Sequence, residues 1–261
     1  MTYAIVPGAA SSPVILHVPH AARALGGARF VVGDAEIAEE LDHLTDVDTD
    51  VIAHRAAAAA RPRPWIFKNR LSRLVVDPER FPDDTEEMRA VGMGAVYTHG
   101  YAGRRLRDDD PVRDQALLRE HFLPYAAGVT ALVKERLAAT GRAVIIDVHS
   151  YPAVALPYEL HGAGPRPPIC LGVDDFHTPP ALLARAEDAF AGFEQARNTP
   201  FAGAYVPLEY YRREPAVTAV MIEIRRDQYL GDPAGLDRVV AALVTLAGSP
   251  SAPDPPAAPR R

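Results

Sequence analysis

The sequence has almost no cysteine, no excess of positive charge and no long apolar run, and each shortage excludes a class of protein. Cys170 is the single cysteine in 261 residues, so no internal disulfide can form, and its apolar neighbours Ile169 and Leu171 favour a buried side chain over a nucleophile. Lysine and arginine number 28 against 34 acidic residues, which argues against a nucleic-acid or membrane-surface partner. No run reaches the ~18 apolar residues of a membrane helix, and the first residues do not resemble a signal peptide. These observations predict a cytoplasmic protein.

The rest of the composition is typical of a globular chain. Apolar residues make up 48% and charged residues 24% of the sequence, enough for a sizeable core. The even composition favours a single domain over residues 1–247. Residues 248–261 are mostly proline, alanine and serine, which cannot offset their ordering entropy by burial, so we predict a disordered tail.

Short apolar runs alternate with helix-forming segments along the chain. Strands are predicted at residues 13–19, 64–68, 72–77, 143–148, 168–171 and 216–224. Helices are predicted at residues 34–44, 49–60, 110–141, 178–190 and 236–247. This alternation predicts an α/β fold with a mixed, mostly parallel sheet flanked by helices. Residues 81–110 show no period and are typical of an irregular segment that covers an active site.

Three polar residues stand where predicted strands end. His20 follows the first strand, His149 follows the apolar run 143–148, and Glu223 interrupts the run 216–224. Ligand sites of open α/β sheets gather at such strand ends. Asp147 and His149 are two residues apart, so on a strand both side chains lie on one side, where the carboxylate can orient the imidazole. We interpret the following other histidines as structural: His43, His54, His99, His121, His161 and His177.

A cluster of carboxylates between these histidines offers a third ligand. Asp46, Asp48 or Asp50 could complete a metal site, or one of them could cap the helix that follows. Two imidazoles and one carboxylate leave an open position for water, the arrangement of a catalytic zinc site. The same donors also suit other divalent ions.

The sequence also contains candidate residues for acid–base chemistry and for substrate binding. Glu223 lies in an apolar run, where a carboxylate is costly without a partner, so it is a candidate general base. The alternative is an ion pair with Arg225 or Arg226. Arg70, Arg73 and Arg80 flank the ends of predicted strands, and a guanidinium is suited to a substrate carboxylate.

The order and spacing of six motifs resemble the N-formylglutamate amidohydrolases from about residue 13 to residue 230. The motifs are VPHA at 18–21, TD at 45–46, LSRLVVDPER at 71–80, DVHS at 147–150, NTPFAGAY at 198–205 and IEIRR at 222–226. The resemblance implies an α/β fold of the zinc carboxypeptidase and aspartoacylase type. It also implies hydrolysis of N-formyl-L-glutamate to formate and glutamate, the last step of one histidine-degradation route.

Carried over position by position, the resemblance assigns roles to single residues. It implies zinc ligands at His20, Asp46 and His149, a general base at Glu223, a catalytic and substrate-binding arginine at Arg73, and substrate contacts at Arg80, Asn198 and Tyr205.

The chain departs from the family pattern in the motif at 198–205. Pro200 and Ala202 stand where family members carry an arginine and a lysine, so the residues that hold the substrate carboxylates are expected to differ. Two other functions stay open at this stage. One is a different N-acyl amino acid deacylase or carboxypeptidase-like zinc hydrolase, and the other is a protein that binds an acidic metabolite without cleaving it.

Overall fold

A computed structural model describes residues 1–160 and 164–248 of the chain. His161 and residues 249–261, where the disordered tail is predicted, lie outside the described residues.

One seven-stranded sheet, in the order β1-β3-β2-β4-β7-β5-β6, forms the centre of the molecule. Its strands are β1 (Tyr3–Val6), β2 (Val14–Val18), β3 (Trp65–Asn69), β4 (Ala143–Tyr151), β5 (Ile169–Gly172), β6 (Gln195–Arg197) and β7 (Val217–Arg225). Strands β3, β2, β4 and β7 are parallel neighbours, whereas β1 pairs antiparallel with β3 and β5 pairs antiparallel with β7. The predicted mixed, mostly parallel sheet is confirmed.

Helices cover both faces of the sheet. They are α1 (Asp34–Leu44), α2 (Thr49–Ala59), α3 (Pro111–Leu117), α4 (Leu123–Thr140), α5 (Pro180–Ala189) and α6 (Pro233–Ala247). Buried side chains of α2, α5 and α6 share one core with the sheet, and α4 packs on a second core with Ile15 and Phe67. All residues of β2 and β4 are buried, as expected for central strands that are covered on both sides. Within the described ranges, no helix combines the length and apolar character required to cross a bilayer.

The helix predicted at 110–141 is interrupted in the structure. Asp110 caps its start by accepting hydrogen bonds from the backbone N–H groups of Val112 and Arg113. A π-helical turn, Leu118–Phe122, then separates α3 from α4. Pro124 lies two residues after this turn, and its missing N–H and bulky ring disfavour a regular hydrogen-bond ladder there.

The prediction of a strand at residues 72–77 is wrong. The segment is a turn, because the Ser72 hydroxyl accepts a hydrogen bond from the N–H of Leu74, and the Ser72 carbonyl accepts one from the N–H of Val75. These local bonds occupy groups that a strand would offer to a neighbour. Residues 81–110 are irregular as predicted, apart from one 3₁₀ turn, Glu87–Val91.

Candidate metal and active site

Three neighbouring parallel strands bring the predicted polar residues to one edge of the sheet. His20 lies two residues beyond the end of β2, and β2 pairs with β4, which carries His149. Strand β4 pairs in turn with β7 over nine residues, and in this register His149 stands directly opposite Glu223. Two side chains opposite each other on adjacent parallel strands point to the same side. The strands therefore place an imidazole and a carboxylate side by side.

Asp46 joins the two histidines from the connection between α1 and α2. Its N–H donates a hydrogen bond to the His20 carbonyl at 3.0 Å, which fixes the connection against the end of β2. The Oδ2 atom of Asp46 lies 3.1 Å from His149 Nδ1 and 3.8 Å from His20 Nδ1, and the two Nδ1 atoms are 3.3 Å apart. All three residues are buried.

This triangle fits a small divalent cation. Atoms bound tetrahedrally to zinc at ~2.0–2.1 Å are about 3.3 Å from one another, close to the three separations found here. The other two aspartates of the cluster lie elsewhere. Asp48 is exposed at the start of α2, and Asp50 pairs with Lys68 at 3.2 Å. Only Asp46 of these three aspartates faces the histidines.

Asp77 orients the first histidine. Its Oδ1 accepts a hydrogen bond from His20 Nε2 at 2.9 Å, while its Oδ2 accepts bonds from Arg73 Nη2 at 2.8 Å and from the Tyr97 hydroxyl at 2.6 Å. With the proton of His20 on Nε2, the Nδ1 lone pair is available to a cation. Burial would raise the pKa of Asp77, but Arg73 and His20 hold it well below its usual value.

A second group of charges surrounds the other imidazole. His149 Nε2 is buried and lies 3.0 Å from Asp147 Oδ1 and 3.3 Å from Glu79 Oε2, without a hydrogen bond of good geometry to either. Asp147 Oδ1 also lies 2.8 Å from His17 Nδ1, and His17 Nε2 is 2.5 Å from the Tyr125 hydroxyl. The predicted pairing of Asp147 with His149 on one side of β4 is present.

These contacts change the pKa values of two candidate ligands, one basic and one acidic. Burial would lower the pKa of His149, but the charges of Asp147 and Glu79 outweigh it and hold that pKa well above its usual value. Burial would raise the pKa of Asp46, whereas its hydrogen bond to His149 and the charge of His20 lower it to about 2. A pocket that stabilises positive charge this strongly is suited to a cation, which would replace the proton on the imidazole.

Glu223 faces this group without an ion-pair partner of its own. Its Oε2 atom is buried and has no hydrogen bond. The alternative ion pairs do not form, because Arg225 binds Asp227 at 2.7 Å and Arg226 lies 3.6 Å from Asp46 Oδ1. Burial, together with the charge of Asp46, raises the pKa of the Glu223 carboxyl to about 8, against an opposing effect of His149. A nearby divalent cation would lower this pKa and favour the carboxylate.

The predicted substrate-binding residues all line one cavity of about 590 Å³ that also contains the metal-ligand candidates and Glu223. Arg73 is bound to Asp77 and Tyr97, and Arg80 lies 3.6 Å from Asp77. The Asn198 amide oxygen accepts bonds from the N–H groups of Val173 and Gly203, so it shapes the loop. The Tyr205 ring stacks on His17 at 4.5 Å, and burial raises the pKa of its hydroxyl, which stays protonated.

Sequence reasoning missed several residues of the site. His17, Asp77 and Glu79 surround the two imidazoles, and Arg226 contacts Asp46 and the Ser150 hydroxyl. One signal was present: His17 lies on β2, three residues before His20, and it pairs in register with Asp147. Asp77 and Glu79 lie in a turn, and turns have no repeating sequence pattern from which these residues could be predicted.

Comparisons with known proteins show the family to which the chain belongs. The family model of N-formylglutamate amidohydrolase matches residues 12–230. The crystal structure of N-formylglutamate amidohydrolase from Ralstonia eutropha JMP134 superimposes with a TM-score of 0.78 at 21% identity, over 94% of this chain and 95% of that chain. Gene product Atu2144 from Agrobacterium tumefaciens gives a TM-score of 0.70 at 19% identity, over 94% and 93% of the two chains. No curated protein matches the sequence.

Proposed function

Because the chain belongs to the N-formylglutamate amidohydrolase family and is a hydrolase acting on an amide, we propose that it is a zinc-dependent enzyme that cleaves N-formyl amino acids. One observation supports the zinc dependence above all others. Three donor atoms of His20, Asp46 and His149 converge within 3.8 Å of one another at the strand ends, beside an unpartnered glutamate. The family relationship makes N-formyl-L-glutamate the first substrate to assay.

The chain's own residues prepare the metal site. His20 and His149 would bind zinc through Nδ1 and Asp46 through Oδ2, and Asp77 keeps the His20 proton on Nε2. When bound, zinc supplies a positive charge that lowers the pKa of water toward ~7 and polarises the acyl oxygen. Other divalent ions remain compatible with the same donors.

Glu223 performs the proton transfers in this proposal. Its buried carboxylate accepts a proton from the attacking water as the water oxygen bonds to the acyl carbon. The same proton then passes to the amide nitrogen as the carbon–nitrogen bond breaks, which releases formate and the free amino acid. The position of Glu223 opposite His149 keeps the base next to the metal ligands throughout.

Arg73 and Arg80 supply positive charge on the cavity wall. Arg73 is held by Asp77 and Tyr97, so its guanidinium is pre-positioned to stabilise negative charge that develops on the acyl oxygen. Arg80, with its side chain about one quarter exposed, is the better candidate for the substrate α-carboxylate. Tyr205 would donate its hydroxyl proton to substrate, and Asn198 would keep its loop in place.

Metal content and hydrolysis test the proposal together. Elemental analysis of the purified chain should find about one zinc per molecule, and His149→Ala should lose both the zinc and the release of formate. His54→Ala is the matched control, because His54 lies half-buried on α2 away from the cavity and should retain both. A chain that binds no divalent metal, or a His149→Ala variant that stays fully active, would contradict the proposed mechanism.

A further inference from the structure

The cavity wall carries far more negative than positive charge. Its lining contains three arginines, no lysine and eight carboxylates, and the carboxylates are Asp46, Glu79, Glu87, Asp147, Glu159, Asp174, Glu209 and Glu223. Arg166 pairs with Glu159 at 2.6 Å, and one divalent cation removes only part of the remaining excess. A substrate with two carboxylates would therefore enter a cavity whose electrostatic potential opposes the second charge.

The three arginines already have anionic partners. Arg73 Nη2 lies 2.8 Å from Asp77, Arg80 Nε lies 3.6 Å from the same carboxylate, and Arg226 Nη2 lies 3.6 Å from Asp46. Arg80 has a second acidic neighbour, since its Nη1 is 3.5 Å from Glu86. These arginines can bind one substrate carboxylate in addition, but the cavity lining contains no further lysine or arginine to bind a second substrate carboxylate. A buried carboxylate without a cationic partner is costly.

Apolar side chains occupy the outer part of the cavity instead. Phe81, Leu160 and Leu208 line it and are 38%, 45% and 50% exposed, and we call these three residues the apolar rim. Pro200, Phe201 and Ala202 of the loop 198–205 also line the cavity and add to its apolar surface. Single exposed apolar residues are ordinary on a protein surface, but three around one cavity mark a surface that an apolar ligand group can cover.

The cavity is large enough for an N-formyl amino acid with a large apolar side chain. A volume of about 590 Å³ lies in the range of pockets that enclose drug-sized molecules, ~300–1,000 Å³. The same cavity is lined by the metal-ligand candidates, by Glu223 and by the apolar rim.

We propose that the preferred substrates are N-formyl amino acids with a large uncharged side chain, such as leucine or methionine, which the apolar rim covers while an arginine holds the single carboxylate. This inference rests on the proposed function and names the substrate class of the same site. The reaction is balanced with water alone: water oxygen bonds to the formyl carbon, the carbon–nitrogen bond breaks, and the amine nitrogen takes the proton.

A panel of four formylated amino acids on the zinc-loaded full-length chain tests the preference. N-formyl-L-leucine should exceed N-formyl-L-glutamate at least about tenfold in kcat/KM, because a buried unpaired charge is rejected more strongly than a missing methylene. N-formyl-L-glutamine, which has the shape of glutamate without its charge, should fall between them. N-formyl-L-lysine should also be poor. A preference for N-formyl-L-glutamate would contradict the inference but not the proposed hydrolase activity. A preference for N-formyl-L-lysine would also contradict it and would indicate that the acidic residues of the cavity wall select the substrate.

A binding measurement separates this inference from the catalytic proposal. The Glu223→Gln chain should bind N-formyl-L-leucine more tightly than N-formyl-L-glutamate in calorimetry, even if no member of the panel is hydrolysed by the unmodified chain. Hydrolysis of none of the four would count against the proposed function, whereas tighter binding of the glutamate derivative would count against the substrate class.

A charge placed on the apolar rim gives a second test with a matched control. Leu208→Lys should reduce the leucine-to-glutamate ratio of kcat/KM at least about tenfold by giving the second carboxylate a partner. Val154→Lys places the same charge on an exposed residue that does not line the cavity and should leave the ratio unchanged. Equal ratios in Leu208→Lys and the unmodified chain would remove Leu208 from the substrate-binding surface.

Discussion

The candidate metal site and the apolar rim line one cavity but are built from different kinds of chain segment. His149 and Glu223 lie on central strands that pair over nine consecutive residues, and both are buried. Phe81, Leu160 and Leu208 of the apolar rim lie outside the strands and helices and are half-exposed. Backbone pairing therefore holds the first set rigidly, whereas connecting segments carry the second.

We therefore expect the strand residues to determine the reaction and the apolar rim to determine which substrate is preferred. A proton transfer needs a fixed distance between base and reacting atoms, which paired strands supply. The choice of side chain needs only volume and charge, which loops change without disturbing the sheet. Changes at the candidate catalytic and metal-binding residues, or at the residues that orient them, should affect all substrates alike, whereas changes at the apolar rim should affect them unequally.

Glu223→Gln should have the largest effect on turnover. The amide cannot accept a proton from water, so kcat should fall about 10²–10⁴-fold for every substrate in the panel. Zinc content should stay at the level of the unmodified chain, because Glu223 is not among the three converging donor residues. Glu36→Gln, on the exposed surface of α1, is the control. Near-normal turnover in Glu223→Gln would exclude Glu223 as the base.

Asp77→Asn should act through His20 and have a smaller effect. The amide accepts the His20 Nε2 proton less strongly and removes the charge that Arg73 and Tyr97 face, so zinc affinity should fall about 10–100-fold. Competition with a chelator measures this change, and excess zinc should restore most of the activity. Asp84→Asn alters an exposed carboxylate and should leave the affinity unchanged. Unchanged affinity in Asp77→Asn would mean that Asp77 has no role in orienting the ligand.

Phe81→Ala should have the smallest effect and should depend on the substrate. Removing this ring from the apolar rim should raise KM for N-formyl-L-leucine by about tenfold or less, while kcat and zinc content stay the same. KM for N-formyl-L-glutamate should change less. Phe176→Ala removes an exposed ring outside the cavity and serves as the control. An equal rise for both substrates would contradict the division between the two sets.

The sequence was informative where strands determine the site. A polar residue that ends an apolar run is recognisable, so the clustering of His20, His149 and Glu223 at one sheet edge could be predicted. Their roles in metal binding and catalysis stay predictions until they are measured. The edge strands β1 and β6 were missed because they have only four and three residues, too few to show a strand pattern.

The sequence was less informative where turns determine the site. Leu74, Val75 and Val76 have the composition of a strand, but Ser72 hydrogen bonds turn the chain and deliver Asp77 to His20. Residue types alone also could not choose among Asp46, Asp48 and Asp50, which stand in one polar stretch. The choice depends on which carboxylate meets two imidazoles that are distant in the sequence, and only the family resemblance pointed to Asp46 beforehand.

The register of β4 on β7 has a consequence for engineering this protein. Because His149 and Glu223 are opposite partners in a parallel pair, their backbone separation equals the spacing of neighbouring strands, about 4.8 Å. Loop replacement leaves that spacing untouched, so new recognition loops can be introduced without changing the distance between these two residues. A single-residue insertion within either strand would instead rotate one of the two side chains to the opposite face of the sheet.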